Sequence, residues 1–190
     1  MTRERIVHTA ANLASDRSLD GVTIGVLADE LGMSKSGVVG HFGTKEALQL
    51  ATLDFATDRF RELVWEPVKD QTPGLPRLLA ICDSWIAYAE NSGFDGGCCV
   101  VQISYEFDSR TGAVHDKVAA AVRRWRRVLV ADIEAAVAAG DLAPGVNAAQ
   151  LAFGLESIAS GMAPSRMLQG DADTRDWARQ AMRTILGLHP

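Results

Sequence analysis

The chain has 190 residues, 47% of them apolar and 23% charged, a balance that suits a globular core and excludes a disordered chain. Its 19 basic and 24 acidic residues leave a net charge of −5, which excludes binding of nucleic acid by bulk positive charge but not by a local basic face. No uncharged apolar run approaches the ~20 residues of a membrane-spanning helix, and the opening residues lack a signal-like apolar core, so a cytoplasmic, reducing setting is expected.

Prolines stand at 67, 73, 76, 144, 164 and 190, so residues 1–66 and 77–143 have room for long helices. In residues 3–17 the apolar stripe Ile6, Ala10, Leu13 and Ala14 has helical spacing. Residues 22–46 carry the most specific pattern. Thr23 is a good N-cap, and Ile24, Leu27, Ala28 and Leu31 then form one apolar face. Gly32 suits the left-handed residue that closes that helix. Ser34 caps a second helix with Val38 and Phe42 turned inward, and Thr44 caps a third running to about Trp65. Two short helices joined by a glycine-containing turn form a helix-turn-helix, whose second helix enters the DNA major groove. The other reading of the same residues is a capped helix pair in an ordinary core.

Further along, Cys98 to Ile103 reads as a buried helix rather than a strand. Residues 112–139 carry Val114, Val118, Val122, Trp125, Leu129, Ile133 and Val137 at helical spacing, and residues 147–168 carry Leu151, Leu155, Ile158 and Met162. Trp177, Ala181 and Ile185 mark a final helix. No segment alternates as a half-buried strand does, so the fold class is all-α. The chain divides at about residue 46 into an N-terminal helix-turn-helix unit, residues 1–46, and a larger helical part, residues 47–190.

Charge placement favours a nucleic-acid face. Residues 1–50 hold five Lys/Arg and six Asp/Glu, yet from Leu31 to Lys45 there is no acid, only Lys35, His41 and Lys45. The middle helices bring Phe60, Trp65, Trp85, Tyr88, Gln102, Tyr105, Glu106 and Trp125, which read either as walls of a small-molecule cavity or as plain core. Glu106 and Gln102 are four apart on one helix face, and if buried they would need partners. Gly154 and Gly161, seven apart, share a face beside Leu151, Leu155, Ile158 and Met162, which fits close helix approach either within the chain or to a second copy. Arg123, Arg124, Arg126 and Arg127 read as a solvated face around an inward Trp125. The adjacent Cys98 and Cys99 and the lone Cys82 lack zinc spacing; Cys98 and Cys99 read either as an oxidant-sensing pair or as buried, inert thiols, and no metal and no cofactor is expected.

Residues 3–50 resemble the DNA-binding region of the tetracycline-repressor (TetR) family of bacterial regulators. The resemblance is carried by Ile6 and Ala10, Gly21-Val-Thr-Ile, Leu27-Ala, Leu31-Gly-Met-Ser-Lys-Ser, His41-Phe and Thr44-Lys-Glu-Ala-Leu. Gly96-Gly-Cys and Glu106-Phe-Asp-Ser-Arg-Thr-Gly resemble one branch of that family more weakly. The resemblance implies about nine helices, a ligand-binding and dimerisation part over residues 47–190, and no enzymatic activity. It implies Thr23, His41 and Lys45 against DNA phosphates, with Ser34, Lys35, Ser36 and Gly37 at the leading end of the reading helix. Where relatives often carry Tyr this sequence has Val39, which offers only apolar contact such as a thymine methyl, and Gly40 brings no side chain.

For the last two helices the resemblance implies a homodimer interface, here through Leu151, Gly154, Leu155, Ile158, Gly161, Met162, Trp177, Ala181 and Ile185. The expected activity is that of a dimeric transcriptional regulator, a repressor, which binds a palindromic double-stranded operator and is released by a small-molecule effector. The expected effector contacts are Phe60, Trp85, Tyr88, Gln102, Tyr105, Glu106 and Trp125. Two alternatives stand beside it: a helical interaction module that has lost DNA binding, and a small helical enzyme. The sequence offers the enzyme no Gly-rich phosphate loop, no nucleophile elbow and no metal-binding helix pair.

Overall fold

In a computed structural model, residues 3–188 are described; the outermost residues of the two expected parts, 1–2 and 189–190, lie outside that range. The described residues form helices and no strand. The helices are α1 (Arg3–Asp16), α2 (Ile24–Leu31), α3 (Lys35–Phe42), α4 (Lys45–Phe60), α5 (Leu75–Glu90), α6 (Cys99–Phe107), α7 (Ala113–Ala139), α8 (Ala148–Pro164) and α9 (Thr174–Ile185). The helix expected from Thr44 to Trp65 is α4 followed directly by a π-turn, Arg61–Trp65. A second π-turn, Ser165–Gln169, follows α8.

The chain forms two compact units whose boundaries differ from the expected functional division near residue 46. Among the described residues, one unit holds 3–59 and 92–121, the other 60–91 and 122–188. The main chain crosses between them inside α4, after α5 and inside α7.

The first unit is built on α1. Ile6, Ala10, Leu13 and Ala14, the stripe seen in the sequence, are all buried, and α6 packs beside them. The approach is close because position 96 has no side chain: a Cβ there would sit 1.9 Å from the Ser15 carbonyl oxygen. The Gly96 N–H instead donates to Ser15 Oγ at 3.0 Å. Asn12 and Asp95 exchange two further hydrogen bonds, of 2.7 and 2.8 Å. Beyond α1, Glu106 of α6 accepts from the backbone N–H of Leu19 at 2.7 Å and of Asp20 at 2.8 Å. Leu19 is wholly buried, so its N–H needs an acceptor from the protein, and a carboxylate is a strong one.

The second unit is organised round α5, which buries Leu78, Ile81, Cys82, Trp85, Ile86, Tyr88 and Ala89 and packs on α8 and α9. Arg166 donates to the Ala89 and Glu90 carbonyls at the end of α5, where a cation suits the helix dipole. Asp132 of α7 is wholly buried and accepts from the Arg77 guanidinium at 2.8–3.1 Å and from the Gly74 N–H at 3.1 Å. Among the described residues no helix is long and apolar enough to cross a membrane.

Candidate nucleic-acid interface

The helix-turn-helix forms as its caps dictate. Thr23, extended at φ −98°, accepts from the Val26 N–H at 3.2 Å and starts α2. Gly32 ends that helix at φ 62°, and the chain reverses with the Met33 N–H bonded to the Ala28 carbonyl at 2.8 Å. Ser34 then starts α3, accepting from the Gly37 N–H at 3.1 Å, and its Oγ lies 3.1 Å from Ser36 Oγ. Thr44 Oγ1 accepts from the Ala47 N–H at 3.1 Å ahead of α4. Leu27, Ala28, Leu31 and Val38 are buried where α2 and α3 pack, while Phe42 is half-buried beneath the Arg3 guanidinium, 5.0 Å from its ring centroid.

Most of the residues that the sequence marked for DNA lie on the outside. Thr23, Ser34, Lys35, Ser36, Val39, Gly40, His41 and Lys45 are exposed, and Gly37 is half-buried. Thr23 and Lys35 share one neighbourhood, since a Cβ added at Gly25 would sit 3.7 Å from Thr23 Oγ1 and 3.5 Å from Lys35 Cε. Gly40 faces open space on the outer side of α3. This is a surface of hydroxyls, two ammonium groups, an imidazole and the N-terminus of α3, with no carboxylate from residue 31 to 45. Such a surface can meet phosphate oxygens with positive charge and N–H donors, and base edges with Lys35, Ser36 and Val39. Lys45 does have an acidic partner from outside that stretch: its Nζ donates to Asp20 Oδ1 at 2.6 Å. That partner lies 25 residues away, and nothing in the local pattern points to it.

Of the residues expected to contact an effector, the second unit brings four together. Phe60 lies edge-on to Trp85, Tyr88 and Trp125, with ring centroids 5.9, 5.2 and 4.9 Å away, and Trp85 meets Trp125 at 5.3 Å. These T-shaped contacts are the favoured aromatic geometry. The indole Nε1 of Trp125 is buried and has no hydrogen-bond partner among the described residues. The other three expected contacts belong to the first unit. Tyr105 is 63% exposed, Gln102 is exposed, and Glu106 is engaged with the turn between α1 and α2. Glu106, half-buried, is thus held by backbone N–H groups, with the Arg110 guanidinium 3.6 Å away.

The residues expected at a dimer interface separate in the same way. Leu155 and Met162 point into the protomer's own core with Ala152 and Ala159. At Gly154 the space is taken by α9 of the same chain, for a Cβ there would sit 2.9 Å from Ile185 Cδ1. Leu151, Ile158, Ala181 and Ile185 are half-buried, and Gly161 is exposed with open space above it. The exposed large apolar side chains of α8 and α9 are Phe153 at 59% and Trp177 at 53%. Phe153 lay off the stripe that the sequence spacing picked out.

Of the two adjacent thiols expected to be buried, one is buried and the other is not. Cys82 and Cys99 are buried and Cys98 is half-buried. Burial pushes the Cys82 thiol up to about 12 and raises that of Cys99 as well. No cluster of three metal-ligating side chains occurs among the described residues.

Comparison with known families matches residues 6–52 to the bacterial regulatory proteins of the tetR family, and residues 74–182 to the tetracyclin repressor-like C-terminal domain. A TetR transcriptional regulator from Chloroflexus aurantiacus J-10-FL is 26% identical, with a TM-score of 0.87 over 97% of this chain and 93% of its own. AibR, solved in complex with isovaleryl coenzyme A and operator DNA, is 24% identical, with a TM-score of 0.81 over 97% of this chain and 98% of its own. A tetR-family regulator from Cytophaga hutchinsonii is 20% identical, with a TM-score of 0.81 over 97% and 92%. No curated protein matches the chain.

Proposed function

Since the chain belongs to the tetR family of bacterial transcriptional regulators, we propose that it is a repressor that binds a palindromic operator as a homodimer and is released by a small-molecule effector. The observation that carries this reading is the acid-free outer surface presented by residues 34–45, set on a doubly capped helix pair. Thr23, His41 and Lys45 would hold phosphates, while Ser34, Lys35, Ser36, Gly37 and Val39 lead into the groove. Functionally, residues 1–46 read DNA and residues 47–190 sense the effector and dimerise.

Two chains are needed because half-sites recur about one helical turn, ~34 Å, apart on one side of the duplex. The exposed Phe153 and Trp177, with Gly161 of α8 open to space, support α8 and α9 as the joining helices. Trp177→Glu should then give a monomer by sedimentation. The effector site is the cluster of Phe60, Trp85, Tyr88 and Trp125. Its buried, unpartnered indole N–H favours a compact apolar ligand carrying an acceptor oxygen. AibR, seen with both an acyl thioester and operator DNA, supports one chain of this fold holding both kinds of partner. Release follows if the effector favours a conformer in which α4 carries the two reading helices out of register.

The test is selection of bound duplexes from random DNA. The recovered motif should be two-fold symmetric, and Lys35→Ala should weaken binding to it at matched salt. Recovery of no motif, or unchanged binding by Lys35→Ala, rejects the assignment.

A further inference from the structure

The first unit contains a charge cluster that meets the reading surface at Lys45 and is separate from the aromatic cluster. Asp20, in the turn between α1 and α2, accepts from Lys45 Nζ at 2.6 Å and lies 3.5 Å from the Arg110 guanidinium. Arg110, just beyond α6, is 3.6 Å from Glu106 and stands 4.7 Å over the Phe107 ring. Glu106 grips the backbone of that same turn through the Leu19 and Asp20 N–H groups. Two carboxylates therefore face two cations, and Asp20 has both cations within reach.

We propose that Asp20 is an internal competitor for the DNA phosphate at Lys45, and that Glu106 and Arg110 set how strongly it competes. The proposal rests on the reading of Lys45 as a phosphate contact. A carboxylate and a phosphate offer an ammonium the same charge-assisted acceptor, so Lys45 reaches an operator phosphate by leaving Asp20. Arg110 makes the exchange possible without stranding an anion, because it stays behind to neutralise Asp20. Both partners of the Lys45–Asp20 pair are about half exposed, with side chains 43% and 50% accessible. Exposed pairs of this kind are weak and screened, so the competitor trims affinity by a few-fold and does not abolish it. The Glu106 grip fixes where Asp20 sits, since it holds the backbone N–H of Asp20 and of Leu19 before it.

The experiment measures binding of the full-length protein to a duplex recovered by selection and to a scrambled duplex of the same length, at low salt. Asp20→Asn should tighten binding about three- to fivefold. That gain should vanish when Lys45→Ala is also present. Arg110→Gln should weaken binding two- to threefold, and should have no effect in the Asp20→Asn background. In the free protein, Asp20→Asn should raise the rate of reductive methylation of Lys45. Unchanged affinity for Asp20→Asn, or a gain that persists without Lys45, overturns the competitor. A loss from Arg110→Gln that survives Asp20→Asn overturns the role of Arg110. If wild type binds neither duplex, the DNA-reading proposal falls and this one falls with it; if wild type binds and Asp20→Asn changes nothing, this one falls alone.

Discussion

Arg77 and Asp132, 55 residues apart, are locked by three hydrogen bonds of 2.8–3.1 Å. The carboxylate is wholly buried and the guanidinium side chain only 17% exposed. The same carboxylate accepts from the Gly74 N–H, so it fixes the start of α5 to the middle of α7.

Removing one member of such a pair leaves an uncompensated buried charge, which costs about 3–5 kcal/mol. Asp132→Ala should therefore lower the urea midpoint by that equivalent. The double change Arg77→Met/Asp132→Leu should recover part of the loss, because the desolvation cost disappears with both charges while the Gly74 N–H still lacks its acceptor. A single variant within about 0.5 kcal/mol of wild type would show that the pair is not a staple.

Gly40 lies inside α3 with nothing within 4 Å of a Cβ built on it. Alanine is preferred to glycine in a helix by about 1 kcal/mol, so Gly40→Ala should raise the thermal midpoint by about 2–4 °C. If the α3 backbone comes close to the duplex at this position, the same methyl should weaken operator binding. Calorimetry and a binding titration on one sample check both outcomes; stabilisation with unchanged affinity would remove Gly40 from the interface.

Asp20 titrates below its ordinary value of 3.8, first because Lys45 donates a hydrogen bond to it, then because of the Lys45 and Arg110 charges. A depressed carboxyl favours the folded chain above the unfolded value, and that contribution is lost as pH falls through the folded one. The Asp20–Lys45 pair should thus persist at pH 5 and open only below about pH 4. Carbon-detected NMR should place the Asp20 midpoint under 3.8, moving back up in Lys45→Ala.

Much of the site was legible in the sequence because caps and turns are local. Thr23, Gly32, Ser34 and Thr44 act within four residues, and each takes the role that its residue type implies. Core stripes were legible for the same reason, as with Ile6, Ala10, Leu13 and Ala14. What the pattern left open was the identity of distant partners. A pair four apart such as Gln102 and Glu106 marks a face but not what meets it, and Glu106 meets backbone 86 and 87 residues earlier. A small residue among apolar ones marks close approach but not by which helix. At Gly154 the neighbour is Ile185 of the same chain.

The cysteines give a chemical check. Burial raises the Cys82 thiol to about 12 and raises that of Cys99, so neither forms much thiolate at neutral pH. With Cys98 half-buried, Ellman's reagent at pH 7.5 should titrate at most one thiol quickly in the native protein, and all three after denaturation. Fast reaction of two or more would contradict the packing round α5 and α6.

The brace that α6 places on α1 limits how this regulator can be recombined. The residues matching the N-terminal family region end at 52, yet the acceptor for the Leu19 and Asp20 N–H groups is residue 106, inside the C-terminal match. A chimera made by grafting residues 1–59 onto a foreign sensor would inherit a reader stripped of that carboxylate and of the close seat of Gly96 on Ser15. Exchange of sensors between such proteins should succeed when the 92–121 segment travels with the reader, so the transferable cassette is discontinuous in the gene.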